Sequence, residues 1–186
     1  MILDRRSLLV ALGGLLLAGP ARARSAGAYD AGFRFTAIEG GELAMADYAG
    51  KAVLLVNTAS RCGFTPQYAA LQDTWERYRD RGLVVLGVPS NDFGGQEPLD
   101  ESGIKQFCEV QFGIDFPMTS KERVAGPAAH PLYRWIAERL GARGQPTWNF
   151  HKFLIDPAGE VVGAWPARVS PEGAEVSAAI ESALPR

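Results

Sequence analysis

Cysteine and histidine are scarce in this chain, with two of each among 186 residues. Cys62 and Cys108 lie far apart, and together with His130 and His151 they make no recognisable ligand spacing, so neither a metal nor another cofactor is expected. A C-x-x-C pair is also missing: Gly63, Phe64 and Thr65 follow Cys62, which argues against a dithiol oxidoreductase. Nor is there an excess of charge of one sign. Nineteen Lys and Arg stand against 21 Asp and Glu, leaving −2 and no basic field for nucleic acid. No internal repeat or low-complexity tract is present. Beyond the first residues, no run is long and apolar enough to make a stable membrane span.

What is present begins at the N-terminus. Asp4-Arg5-Arg6-Ser7 precedes an apolar stretch from Leu8 to Ala18, and Ala21-Arg22-Ala23 offers a small-residue cleavage site. This reads as an export signal over 1–23 directing the protein to the periplasm. Arg5-Arg6 followed by Ser7-Leu8-Leu9 resembles a twin-arginine signal, with the general secretory route as the alternative. Removing 23 of 186 residues, with three arginines and one aspartate among them, leaves 163 residues and a charge of −4. A flexible lead-in over 24–32 and one domain over 33–186 are expected. A chain of this size buries roughly two-thirds of its unfolded surface and needs no disulfide to hold its core.

Strands and helices alternate along the remainder. Phe33 to Ile38 and Gly41 to Leu43 suggest a small hairpin, and Val53 to Asn57 a first buried strand. Gln67 to Arg81 carries Tyr68, Leu71, Trp75 and Tyr78 at helical spacing. Leu83 to Val88 reads as a second buried strand ended by Pro89, and a helix is expected from about Asp100 to Phe112. Pro131 to Leu140 predicts a third helix. Lys152 to Ile155 and Glu160 to Trp165 predict a hairpin, and Pro171 to Leu184 a final helix. That order implies an α/β fold, a central mixed β-sheet flanked by helices, for which a thioredoxin-like arrangement fits best.

Cys62 falls where the first buried strand gives way to the first helix. A thiol near a helix N-terminus meets unpaired N–H groups and the positive end of the dipole, which favour the thiolate.

Five segments in order carry a family resemblance: "NTASRCGFTPQY" (Asn57 to Tyr68), "NDFGGQEP" (Asn91 to Pro98), Phe116-Pro117 with Lys121, "HPLY" (His130 to Tyr133) and "WNFHKFLID" (Trp148 to Asp156). Together they resemble the glutathione peroxidase family from about Phe33 to the C-terminus. The resemblance implies a thioredoxin fold, reduction of hydrogen peroxide and organic or lipid hydroperoxides, and active-site positions Cys62, Gln96, Trp148 and Asn149. Cys108 matches the resolving-cysteine region of the non-selenium, thioredoxin-dependent branch. It implies that a sulfenic acid on Cys62 condenses with Cys108 to a disulfide. A thioredoxin-like protein, or less readily glutathione, would then reduce that disulfide. Ser90 stands where many relatives carry a third cysteine. The short connection from Gly141 to Thr147, where tetrameric relatives have an insertion, implies a monomer.

The chemistry suits those residue types. An ordinary thiol is about 3% ionised at pH 7. Lowering its pKa by about two units raises that fraction some 25-fold, while weaker basicity returns roughly 8-fold. Thiolate formation therefore cannot be the main device, and charge stabilisation as the O–O bond breaks must supply most of the effect. An indole N–H and two carboxamides are neutral, fixed donors fit for that task. Other readings remain at this level. Trp148 suits a core or interface aromatic, Asn149 a turn, Gln96 a solvated amide, and Arg61 either an aid to the thiolate or a solvated side chain. Cys108 suits a buried free thiol or one end of a static bridge to Cys62. A cysteine hydrolase would borrow His130 or His151, and a non-cycling peroxide sensor or a non-catalytic exported domain would use the same fold. For the disulfide to form between two separate helices, local unwinding of Glu101 to Phe112 is expected, since a bridge needs Cα atoms within about 7 Å.

Overall fold

The computed structural model describes residues 26–185; the expected export signal lies outside them. Two hydrophobic stretches make the centre. β1 (Arg34–Thr36) and β2 (Glu42–Ala44) form the small antiparallel hairpin, and β3 (Ala52–Thr58) is buried along its whole length. α1 (Gln67–Tyr78) returns the chain to β4 (Leu83–Pro89), which pairs with β3 in parallel. α2 (Glu101–Phe112) and α3 (Pro131–Leu140) follow, then the antiparallel pair β5 (Lys152–Ile155) and β6 (Val161–Trp165), and α4 (Ala174–Ala183). The sheet order is β4-β3-β5-β6, with β5 antiparallel to β3. This is the expected mixed sheet with flanking helices.

Alternation along β3 divides the core between two faces. Leu54 and Val56 pack with Val85, Leu154, Tyr68 and Leu71 of α1, Ile104 of α2 and Ile180 of α4. Val53 and Leu55 pack with Leu86, Phe153 and Leu132, Tyr133 and Ile136 of α3. Each fully buried Leu, Val or Ile contributes roughly 1.5–3 kcal/mol. Both cysteines belong to the first face.

Helix ends follow local chemistry. The Asp100 carboxylate accepts the Gly103 N–H at 2.8 Å to start α2, and Gly113 closes it in the left-handed region at φ 64°. His130 caps α3 by accepting the Leu132 N–H at 3.2 Å, with Pro131 in the first turn. Two boundaries differ from expectation. α1 ends at Tyr78 and passes into a 3-10 turn over Arg79–Arg81 before Gly82 turns left-handed. α4 begins at Ala174 because Ser170 to Gly173 close a turn first, the Gly173 N–H donating to the Ser170 carbonyl.

The stretch expected as a flexible lead-in is docked over its described part. Ala28 and Tyr29 are buried on the second face, the Ala28 N–H donates to the Gly159 carbonyl at 2.8 Å, and the Tyr29 hydroxyl donates to the Lys51 carbonyl at 2.7 Å. Its composition has no periodicity to announce this; one aromatic ring with a site to fill anchors it.

Candidate active site

Cys62 lies in a turn, five positions before the first residue of α1. The turn is closed by its own hydrogen bonds. The Cys62 N–H donates to Thr65 Oγ1 at 3.0 Å, that hydroxyl donates to the Ala59 carbonyl at 2.9 Å, and the Thr65 N–H donates to the Cys62 carbonyl at 3.0 Å. The first N–H groups of α1 are spent locally: Gln67 and Tyr68 donate to the carbonyls of Phe64 and Thr65. The donor that reaches the sulfur is therefore the Phe64 N–H, 3.4 Å from Sγ, and not the helix end itself. Cys62 is buried, with 8% of its surface exposed.

The loop after β4 is tied to this turn. The Arg61 N–H donates to the Gln96 carbonyl at 3.0 Å, and the Ser60 N–H and hydroxyl both donate to Glu97 Oε2 at 2.8 Å. Gly94 and Gly95 are both left-handed (φ 66° and 63°), which allows the loop to reverse without a Cβ clash. Asn91 Oδ1 accepts the Glu97 N–H at 2.9 Å, and Lys121 Nζ donates to the carbonyls of Glu97 and Leu99. Arg61 presents its side chain to solvent; its backbone is what joins the site.

The third segment precedes β5. Asn149 is fully buried, and its amide nitrogen donates to Gln96 Oε1 at 3.0 Å and to the Phe93 carbonyl at 3.4 Å. With its oxygen so engaged, half-buried Gln96 keeps its amide nitrogen as a donor. Trp148 is 39% exposed and lies against Phe93, ring centroids 5.9 Å apart. Asn57 grips both sides of this turn, donating from its side-chain amide to the Trp148 carbonyl at 3.0 Å and accepting the Phe150 N–H at its backbone carbonyl at 2.6 Å. Phe150 has φ 63°, a left-handed conformation that costs a bulky residue on the order of 1–3 kcal/mol. Lys152, fully buried, donates from Nζ to the Phe150 carbonyl at 2.7 Å, and burial lowers its pKa from 10.5 to about 7.

Four of the five residues singled out from the sequence thus fall on three mutually bonded segments. Gln96 and Asn149 touch directly, Trp148 adjoins them, and the Cys62 turn is fastened to the Gln96 loop. Cys108 lies apart from those segments on α2, 1% exposed, in the same packed core as Cys62. Both cysteines are free, so the static bridge is absent. Burial pushes the Cys108 thiol up to about 12; Tyr68 opposes this, while Glu97 and Glu109 add to it. Cys62 sits in a turn and not on a helix, so only Cys108 is helical.

The histidines do not serve the cysteine. His130 stacks on Phe35 at 3.9 Å, and its Nε2 donates to the Arg34 carbonyl. His151 is buried beside Phe153 with both ring nitrogens unpartnered, and burial, with a lesser effect of Lys152, lowers its pKa to about 4. Neither imidazole is bonded to the Cys62 sulfur, so neither is placed to serve as the base of a cysteine hydrolase. Sequence reasoning missed Asn57, Glu97, Phe150 and Lys152. All four lie inside the motif segments that carry the family resemblance, which is the signal that could have found them, and Lys152 also opens an apolar strand.

Residues 31–137 match the family model described as glutathione peroxidase. The chain is 44% identical over 161 residues to hydroperoxy fatty acid reductase gpx1 of Synechocystis sp., covering 82% of this chain and 94% of that protein. It is 45% identical over 148 residues to glutathione peroxidase-like peroxiredoxin GPX5 of Chlamydomonas reinhardtii, covering 76% and 91%. The crystal structure of Trgpx in its apo form superposes with a TM-score of 0.67 at 34% identity, over 86% of this chain and 96% of that one. The family-model match spans Cys62, Gln96 and Cys108, and the chain belongs to the glutathione peroxidase family.

Proposed function

We propose that this protein is a thiol-dependent peroxidase that reduces hydrogen peroxide and organic or lipid hydroperoxides through Cys62. The observation that carries the reading is the Asn149–Gln96 hydrogen bond, with Trp148 alongside and the Cys62 turn fastened to the same loop. The Cys62 sulfur attacks one peroxide oxygen, the O–O bond breaks, and the product oxygen leaves as an alcohol or water after taking up a proton. Sulfur is oxidised by two electrons to the sulfenic acid. Neutral amide and indole donors stabilise the oxygen as charge builds on it, without the desolvation cost of a buried ion pair. Cys108 then condenses with the sulfenic acid, and the intramolecular disulfide is reduced by a thioredoxin-like protein or by glutathione.

The half-buried rings of Phe64 and Phe93 and the partly exposed Trp148 give the site an apolar rim. With the Synechocystis relative named as a hydroperoxy fatty acid reductase, that rim supports lipid hydroperoxides as substrates. The export-signal pattern read from 1–23 supports a periplasmic enzyme, and the short connection from Gly141 to Thr147 supports a monomer. Mass spectrometry after one equivalent of peroxide, with and without a dithiol protein, tests the scheme. The expected result is a loss of two hydrogens joining Cys62 to Cys108, reversed by the dithiol. Oxidation that stops at an unresolved Cys62, or that the dithiol cannot reverse, rejects it.

A further inference from the structure

A cavity beside the Trp148 turn is left unused by the attack on peroxide. It encloses about 160 Å³ between α3, the segment before that helix and the connection that leads to Trp148. Val124, Ala129, Tyr133, Ala137 and Pro146 line it, and Arg134 is the one cation among its lining residues. An apolar cavity of this size takes up a benzene-sized molecule, so about six carbons of an alkyl chain fit. Gly144 closes one wall by packing directly on α3: an added methyl would come within 2.5 Å of the Ile136 carbonyl oxygen.

Two walls of the cavity continue into the catalytic site. Pro146 stands two residues before Trp148, a span of at most about 7 Å. On the other side, the Val124 and Ala125 N–H groups donate to Asp92 Oδ2 at 2.7 and 3.0 Å. Asp92 adjoins Phe93, whose ring lies against Trp148. The apolar rim and the cavity are therefore joined through both of these rings.

Arg134 adds a charge to this apolar surface. It is exposed, and its Nη1 donates to the Ala129 carbonyl at 2.6 Å, which holds the guanidinium against the cavity wall. Among the described residues no carboxylate pairs with it, not even Glu138 one turn further along α3. Its remaining N–H groups are free to meet an anion in a planar, two-pronged arrangement. The Asp92 carboxylate is engaged by the two N–H groups and, at 3.8 Å, by Arg123.

We propose that this cavity binds part of the acyl chain of a free fatty-acid hydroperoxide, with Arg134 pairing its carboxylate. The inference rests on the peroxidase reading of Cys62 and adds to it a preference among lipid substrates. The peroxide group lies at Cys62, the chain crosses the Phe93 and Trp148 rings, and its carboxylate end sits beside Arg134. Hydrogen peroxide and short alkyl hydroperoxides extend to neither the cavity nor the guanidinium.

The test measures the second-order rate constant of sulfenic acid formation by stopped flow. The peroxides are linoleic acid hydroperoxide, its methyl ester, tert-butyl hydroperoxide and hydrogen peroxide, each rate being taken relative to the same protein's rate with hydrogen peroxide. The proteins are wild type, Arg134→Gln, Arg134→Lys and Ala137→Leu. Wild type should take the free acid roughly 3- to 10-fold faster than the ester, a preference that added salt weakens. Arg134→Gln should lose this preference, and Arg134→Lys should keep most of it. Ala137→Leu fills the cavity and should slow acid and ester alike on the order of tenfold, without changing the relative rate with tert-butyl hydroperoxide. Equal rates for acid and ester in wild type, or an Arg134→Gln protein slowed equally with all four peroxides, overturn the inference and leave the peroxidase reading standing. Wild-type relative rates in Ala137→Leu do the same; should that variant not fold, the exposed Arg134 position decides. Wild type that forms no sulfenic acid with any of the four peroxides overturns the peroxidase reading, and this inference with it.

Discussion

Replacing Lys152 with methionine should make the protein more stable at neutral pH and less active. Lys152 occupies the sheet position between Val56 and Trp165, on the face shared with Leu154 and both cysteines. Among the described residues no carboxylate pairs with it, and its bond is to the Phe150 carbonyl. Burial lowers its pKa from 10.5 to about 7. Below pH 7 both folded and unfolded chains hold the proton, and folding bears the whole cost of burying the cation, on the order of 4–5 kcal/mol. Between pH 7 and 10.5 only the unfolded chain holds it, so wild-type stability gains about 1.4 kcal/mol per pH unit from this group. Methionine removes that cost but leaves the Phe150 carbonyl unsatisfied, a loss of about 2 kcal/mol. The variant should therefore be more stable by roughly 2–3 kcal/mol at pH 6–7, with the advantage vanishing near pH 9. Urea unfolding at unit pH intervals from 6 to 10 reads the difference directly, because every other titrating group is common to both proteins. A difference that does not change with pH would refute the reasoning. Activity should fall several-fold, since the strained Phe150 turn that carries Asn149 loses its brace.

Cys108→Ser should form the sulfenic acid in one turnover yet fail to cycle with a dithiol protein; unchanged cycling would remove its resolving role. Asn149→Ala frees the Gln96 amide to rotate and should slow sulfenic acid formation on the order of 10- to 1000-fold in a peroxide stopped-flow assay. Asp100→Ala removes the cap of α2, whose carboxylate is held below the usual range chiefly by the Gly103 N–H. If α2 must unwind for resolution, that variant should form the Cys62–Cys108 disulfide several-fold faster. The same cap is present above the unfolded carboxylate pKa and lost as pH falls through the lower folded value, so wild-type resolution should quicken in acid relative to the Asp100→Ala protein.

The strands were legible because β3 and β4 are apolar runs bounded by Lys51, Gly82 and Pro89, and burial on both sides needs no alternation. α2 and α3 were legible from Asp100 and Pro131. The start of α4 was not, since Ser170 and Gly173 offer a turn that competes with helix over the same residues. For the site, spacing carried little: Cys62, Gln96, Trp148 and Asn149 were found through family motifs, and only the fold brings the Gln96 and Asn149 amides to 3.0 Å. The helix-end argument for Cys62 was too local, because Thr65 and Pro66 extend the turn and a different N–H meets the sulfur. Glu97 and Lys152 escaped notice because a charged side chain reads as solvated until packing on every side shows otherwise.

The docked N-terminal segment sets a limit on proteolytic maturation. Ala28 and Tyr29 belong to the core, and adding even a methyl at Gly27 would bring it within 2.8 Å of the Ala158 carbonyl oxygen. A peptidase that cuts after Ala23 spares all of this, whereas trimming a handful of residues further would evict the Tyr29 ring, worth roughly 1.5–3 kcal/mol by its burial. Protein shortened at its N-terminus should accordingly keep its stability only if it begins no later than Gly27, and ragged ends would be tolerated only upstream of it.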